Sequence, residues 1–371
     1  MAIIKSAMNE IICVRDMSRK FEYICRYASV FFIFAFCLAA CHPEKKNQPA
    51  GEIRITMVGD ILMGTFIGNY IDKYGVDYPW KDVSPILNNS DLAIANLETS
   101  VSTQGDTIKP VGYGFRSKPE TLQGLVNSGI RFVSIANNHT LDFGEPAFFD
   151  TLDYLKKYNI AYAGGGRNIQ EAKKPYVFEK NGITMAFISY TEIVPYSSWK
   201  ASETNPGISA FSESHLTETL EYVESLSKKY DLVFVILHWG LEHTPIPEKR
   251  QINIAHQIID RGAAGIIGHH PHVLQPLEFY KNKPILYSIG NFVFLVYNEK
   301  SAETGIFEMS FDKKGFKKGF FYPAVINYCK ANLLDPQSAK GQKIIGDLNS
   351  ISRPFGARIS ANGEINMDVH K

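Results

Sequence analysis

Six short apolar runs in this chain each end on residues able to bind a metal or move a proton. Gly59-Asp60 follows residues 53–58 (IRITMV), and Asn96-Leu97-Glu98 follows 92–95. Asn137-Asn138-His139 follows 131–136, with Asp142 three residues on. His238-Trp239-Gly240, then Glu242 and His243, follow 232–237. Gly268-His269-His270-Pro271-His272 follows 265–267, and Gly290-Asn291 follows 284–288. Singly, each is commonplace, since a strand-end Asp caps helices and an Asn forms turns. Together they are not, because ligands in an α/β sheet bind beyond the carboxyl ends of its strands. Carboxylate, amide oxygen and imidazole without thiolate make a donor set suited to Mn²⁺, Zn²⁺ or Fe, so the pattern points to a metal or phosphate site.

These runs are too short and too β-branched to be buried helices, and read as strands. Helical patterns separate them at 118–128, 145–158, 213–229 and 252–259, where apolar residues recur at one-turn spacing. The alternation predicts an α/β fold with a central sheet. After Thr304 the text changes to antiparallel strands around a Lys-Gly turn, then a polar helix at 337–350 and a last strand. No linker divides residues 53–371, which read as one domain. Gly164-Gly165-Gly166 lacks a following Lys-Ser/Thr and reads as a turn. Tyr190, Tyr196 and Trp199 lie on a Pro-Ser stretch suited either to covering the site or to packing.

Lys+Arg number 39 against 38 Asp+Glu, a net charge of +1, which argues against nucleic-acid binding. With 45% hydrophobic and 21% charged residues, the chain is neither disordered nor a polytopic membrane protein. A basic patch (Arg19, Lys20, Arg26) precedes an apolar run at 28–40, too short to cross a hydrocarbon core of ~30 Å. Its end, Leu38-Ala39-Ala40-Cys41, resembles a bacterial lipobox, so residues 1–40 are expected to be a lipoprotein signal peptide and Cys41 the lipid attachment site. Residues 41–52 read as a flexible tether. Cleavage would remove five basic and three acidic residues, giving a mature charge of −1, and leave Cys329 as the free thiol. An extracytoplasmic, membrane-anchored lipoprotein is expected, with His42 favouring an outer membrane where the cell has one.

GDILMG (59–64), NLETSVS (96–102), ANNHTLDFG (136–144), HWGLEH (238–243), GHHPHVLQP (268–276) and YSIGNFVF (287–294) resemble, in order, the motifs of the CapA/PgsA family of poly-γ-glutamate capsule-synthesis proteins. The resemblance covers roughly residues 53–300 and implies a four-layer α/β/β/α metallophosphatase-like sandwich with a two-metal site. It implies Asp60 on one metal, Glu98 bridging, Asn138 and His238 on the second, and His270 and His272 divided between them. His139 would be a general acid oriented by Asp142, and Asn96, Glu242, His269 and Asn291 would support the ligands. Two positions depart from the phosphoesterase pattern: Leu62 stands where a His is usual, and Glu98 replaces an Asp. One or two divalent ions are implied, with an anionic polymer or phosphoester as substrate. Implied partners are a capsule-synthesis membrane complex of an amide ligase and small membrane subunits. Two functions follow: a metal-dependent hydrolase at the cell surface, or a non-catalytic assembly protein of capsule synthesis and export. The tail beyond about residue 305 matches no motif and is expected, at most, to complete a second sheet.

Overall fold

Alternate residues of a single strand enter different hydrophobic cores, and this organises the whole molecule. The computed structural model describes residues 51–110 and 112–368; the expected signal peptide, Cys41 and most of the tether lie outside them. In the strand Leu232–His238, Phe234 and Ile236 join one core while Val233, Val235 and Leu237 join another. Apolar residues on both faces at period two mark a strand covered on both sides.

In chain order the strands of the two large sheets are β1 (Ile53–Ile61), β2 (Leu92–Leu97), β3 (Ile130–Ser134), β4 (Ala161–Ala163), β5 (Tyr176–Lys180), β6 (Ile183–Thr191), β7 (Leu232–His238) and β8 (Gly265–His269). There follow β9 (Leu277–Tyr280), β10 (Lys283–Leu286), β11 (Asn291–Val293), β12 (Glu303–Asp312), β13 (Gly315–Asn327), β14 (Lys330–Leu333), β15 (Ala357–Ile359) and β16 (Glu364–Met367). The principal helices are α1 (Thr65–Tyr74), α2 (Leu122–Ser128), α3 (Gly144–Lys157), α4 (Leu216–Ser227), α5 (Lys249–Asp260) and α6 (Ala339–Ser352).

The first sheet runs β15-β16-β13-β12-β1-β2-β3-β4, with β11 also paired to β1 and β14 to β13. Its β1–β4 half is parallel, and β12 enters antiparallel to β1. The second sheet runs β9-β10-β8-β7-β6-β5, with β6, β7, β8 and β10 parallel. Outside the first sheet, Ile67, Ile71, Leu125, Phe148 and Leu152 of α1–α3 pack on Ala93, Ala95 and Val133. Outside the second, Leu220, Val223, Ile254 and Ile258 of α4 and α5 pack on Ile188 and Val235. Between the sheets, Ile55, Met57, Ile94 and Phe132 meet Met185, Phe187, Phe234 and Ile236. A run of rings ties them together, Phe132–Phe187 at 5.3 Å, Phe187–Phe234 at 5.2 Å and Phe234–Phe311 at 5.0 Å. Aromatic pairs at such separations add to what burial alone contributes.

The result is the four-layer α/β/β/α sandwich that the family resemblance implies. The strand–helix rhythm by itself suggests one central sheet, and the described residues form two large ones. Period-two burial identifies a strand but carries no information about which sheet it joins. The C-terminal tail does not complete the second sheet: β12–β16 extend the first, and α6 inserts Ile344, Ile345 and Leu348 into the core between the sheets. The described residues fall in one compact unit.

Candidate metal centre

Strand register brings the polar strand ends together. Beyond a bulge in β1, Asp60 lies opposite Asn96 of β2 and Asn291 of β11. In the second sheet, His238 at the end of β7 lies opposite His269 at the end of β8. Two motif glycines permit the approach of the strands. A Cβ on Gly59 would sit 2.0 Å from the Gly290 carbonyl oxygen, and one on Gly268 would sit 1.9 Å from that of Tyr287. Only glycine tolerates such contacts without moving the backbone.

Asn96 is the hub. Its Nδ2 donates to Asp60 Oδ1 at 2.9 Å and Glu98 Oε2 at 3.2 Å, and lies 3.4 Å from His238 Nδ1. His269 Nδ1 lies 3.0 Å from Asp60 Oδ1. His272 Nδ1 lies 2.9 Å from Asn291 Oδ1 and 3.2 Å from Asp60 Oδ2. Asn138 Oδ1 is 2.8 Å from His238 Nε2. Two triads emerge whose ligand atoms lie within 4.8 Å of one another: Asp60, Glu98 and His238, and Glu98, His270 and His272. Glu98 is common to both. The grouping places Asp60 with His238, and keeps His270 and His272 together rather than divided.

All these side chains are buried, yet Glu98 Oε1, His269 Nε2 and His270 Nδ1 have no hydrogen-bond partner among the described residues. An unsatisfied buried polar atom costs about 1–3 kcal/mol. Glu98 and His270 belong to groups whose ligand atoms lie within 4.8 Å of one another, an arrangement compatible with a bound cation, and their oxygen and nitrogen chemistry fits one. Backbone strain also gathers here: His270 has φ +96° and His272 has φ +58°, the left-handed region that non-glycine residues seldom occupy.

Burial raises the Asp60 carboxyl, but hydrogen bonds and charge from His269 and His272 outweigh it and hold the pKa well below the ordinary value. Glu98 moves the other way, pushed well up by burial and by the Asp60 charge. His238 is held far down by burial and by its neighbour His270. His270 is pushed down to about 3 by burial and by the charge of His272. For His272, burial is overcome by Glu98 and Asp60, which raise it to about 9. Two imidazoles are therefore neutral and ready to ligate, while the Glu98–His272 pair retains a proton that a cation must displace.

His139 stands beside this cluster on the turn after β3. Its Nδ1 is 2.6 Å from Asp142 Oδ2, and Phe115 stacks on its ring at 4.0 Å. Burial lowers its pKa, opposed by Asp142. Asn137, buried, fixes the turn by accepting from the His139 amide at 3.0 Å and donating to the Leu97 carbonyl at 2.9 Å. Glu242 is exposed on the loop after β7, and its charge adds to the upward shift of Glu98. Leu62 is fully buried against the α1–α3 layer, its amide donating to the Val293 carbonyl at 2.7 Å. Tyr190 and Trp199 are buried packing residues, and half-exposed Tyr196 donates to the Ile108 carbonyl. Two neighbours had no mark in the sequence. Phe115 and Lys109 come from an irregular polar stretch, and Lys109 Nζ lies 3.1 Å from His139 Nδ1.

The family model described as bacterial capsule synthesis protein PGA_cap matches residues 54–295. The capsule biosynthesis protein CapA of Bacillus anthracis is 33% identical over 253 residues, covering 67% of this chain and 61% of the relative. The chain thus spans about three fifths of that relative's length. The PGA biosynthesis protein CapA of Bacillus subtilis (strain 168) is 28% identical over 342 residues, covering 92% of this chain and 88% of the relative. Among solved structures, the NAD nucleotidase of Haemophilus influenzae aligns at a TM-score of 0.44 and 14% identity, over 83% of this chain and 61% of that one.

Proposed function

The chain belongs to the bacterial capsule synthesis protein family, and from that premise we propose that it is a metal-dependent hydrolase acting at the cell surface in the synthesis of a poly-γ-glutamate capsule. The observation that carries this reading is the pair of buried carboxylate–imidazole triads sharing Glu98, whose Oε1 has no hydrogen-bond partner among the described residues. Asp60, Glu98 and His238, with Asn138 beside His238, would hold one ion, and Glu98, His270 and His272 a second. Mn²⁺, Zn²⁺ or Fe suits these donors. A bound divalent ion supplies Lewis acidity, polarising a phosphoryl or carbonyl oxygen and making nearby water more acidic. Asn96 and His269 hold Asp60, and Asn291 holds His272, so the ligands are oriented in advance. His139, held through Nδ1 by Asp142, presents Nε2 for proton transfer to or from an anionic polymer or a phosphoester.

Cys41 would carry the lipid that tethers the domain outside the cytoplasm, at an outer membrane where one exists. The lipobox-like LAAC supports this, as does the polar stretch after it. In this reading the domain works beside a membrane complex of an amide ligase and small membrane subunits. Cys41→Ala should leave an uncut precursor that takes up no labelled fatty acid, and normal labelling would sink the assignment. One observation favours the non-catalytic assembly role instead: Leu62, where phosphoesterases have a histidine, is committed to the core and offers no ligand.

Two variants measured side by side separate the readings. His139→Ala should keep its metal and lose turnover by about 10²–10⁴-fold, the usual contribution of acid–base catalysis. His238→Ala should lose metal and activity together. A His139→Ala protein with its metal and full capsule formation would end the enzyme reading.

A further inference from the structure

Lys109 reaches the site from a stretch of chain that nothing above assigns. Just before it the chain is fastened to α3, where the Val101 amide donates to Thr151 Oγ1 at 2.8 Å and Ser102 Oγ donates to Asp150 Oδ2 at 2.6 Å. Further on, the Ile108 amide donates to the Asp142 carbonyl at 3.0 Å, and Tyr196 OH donates to the Ile108 carbonyl at 3.2 Å. The segment 102–110 is thus held at both ends against the turn that carries His139. Its lysine points inward. Nζ donates to the Asn138 carbonyl at 2.7 Å, pairs with Asp142 Oδ1 at 2.9 Å and lies 3.1 Å from His139 Nδ1. The Trp199 ring lies 5.7 Å from the ammonium, within cation–π range.

A lysine at a site for anionic substrates suggests an anion receptor, but hydrogen-bond counting argues against that. An ammonium has three N–H groups, and two of this one's are taken up by the Asn138 carbonyl at 2.7 Å and the Asp142 carboxylate at 2.9 Å, on a side chain that is only 10% exposed. Asp142 is equally committed: Oδ2 takes the Phe115 amide at 2.7 Å and faces His139 Nδ1, while Oδ1 faces only Lys109. A fully buried carboxylate needs such a partner.

We propose that Lys109 is a positioning residue for the proposed reaction: its ammonium bolts the Asn138 carbonyl to the Asp142 carboxylate and so fixes the direction of the His139 imidazole. Phe115 fixes the plane of the ring, Asp142 and Lys109 fix its Nδ1 edge, and Nε2 is left as the working atom. No protein group among the described residues hydrogen-bonds Nε2. This inference rests on the hydrolase reading for its kinetic consequence and on the geometry alone for its structural one.

The test uses the full chain in detergent, loaded with Zn²⁺, with Lys109→Met and Lys109→Arg. Zinc content, turnover of bis(p-nitrophenyl) phosphate, and ¹⁵N correlations of the His139 ring are measured together. Lys109→Met should retain zinc and KM, and lower kcat by about 10–100-fold, the scale of a small misplacement of a catalytic group. Its His139 Nδ1–H correlation should broaden or vanish, and Lys109→Arg should recover both signals. Unchanged kcat and ring spectrum in Lys109→Met would overturn the proposal. Loss of zinc in that variant would also overturn it, since the lysine would then support a ligand. If wild type turns over nothing, the hydrolase reading fails while the ring spectra still decide the role of Lys109. Should Lys109→Met not fold by circular dichroism, Lys109→Gln, which keeps a donor without the charge, replaces it.

Discussion

The two sheets contribute unlike halves of the candidate site. The first supplies oxygen: Asp60, Glu98, the amides Asn96, Asn138 and Asn291, and the segment carrying Lys109. The second supplies nitrogen: His238, His269, His270 and His272. The halves also sit differently. The oxygen side is knitted by Asn96 and Asn137 into a network that still leaves Glu98 Oε1 without a hydrogen bond among the described residues. The nitrogen side relies on strained backbone at His270 and His272 and leaves ring nitrogens unsatisfied. Carboxylates placed alone in a dry interior would take up protons, and imidazoles alone there would stay neutral and unpaired. Facing the carboxylates, His272 is raised to about 9 and serves as their counter-charge, and each triad spans both sheets. The site is therefore a product of sheet packing as much as of ligand choice.

Removing the residue common to both triads should break this most severely. Glu98→Ala is expected to abolish metal binding at both positions, read as metal content after dialysis against Zn²⁺ or Mn²⁺. Retention of one full equivalent would show that the triads are independent. Cutting the bond between the halves should do less. Asn96→Ala removes no ligand but frees Asp60 and Glu98, and an affinity loss of about 10–100-fold is expected, as for other supporting partners; a competition titration with a chelating dye would show it. The mildest perturbation, one unit of pH, should have a graded effect. Burial pulls His272 down but Glu98 and Asp60 raise it to about 9, so its group holds a proton that metal must displace. Below that pH the apparent affinity should fall by about tenfold for each unit of acidification. Calorimetry in two buffers of different ionisation enthalpy should register about one proton released per metal bound. Uptake, or no exchange, would mean that Glu98 and His272 do not share that proton.

Asp60, Glu98, His270 and His272 were legible in the sequence because each directly follows an apolar run, and parallel strands deliver their carboxyl ends to one edge. Asn137 stood in the same motif as His139 and drew no separate role; its part in fixing the turn shows only in its bonds to Leu97 and His139. Glu242, a supporting group by the family resemblance, is exposed and acts on Glu98 through its charge. Lys109 could not be found that way. It lies in TQGDTIKP, which has no period, and only the Ile108–Asp142 backbone bond brings it to His139.

The sequence by itself determined the donor chemistry, the strands that carry it and the family. Residue type sets charge and softness, and period-two burial sets a strand, both within a few neighbours along the chain. Tertiary structure alone decided that oxygen and nitrogen come from different sheets, that β12–β16 extend the first of them, and that Lys109 lies behind His139. These are contacts between segments 30 to more than 200 residues apart, such as Lys109 with His139 and Asp60 with His269. No local pattern records such pairings, because what selects them is the joint burial of both sheets around one core.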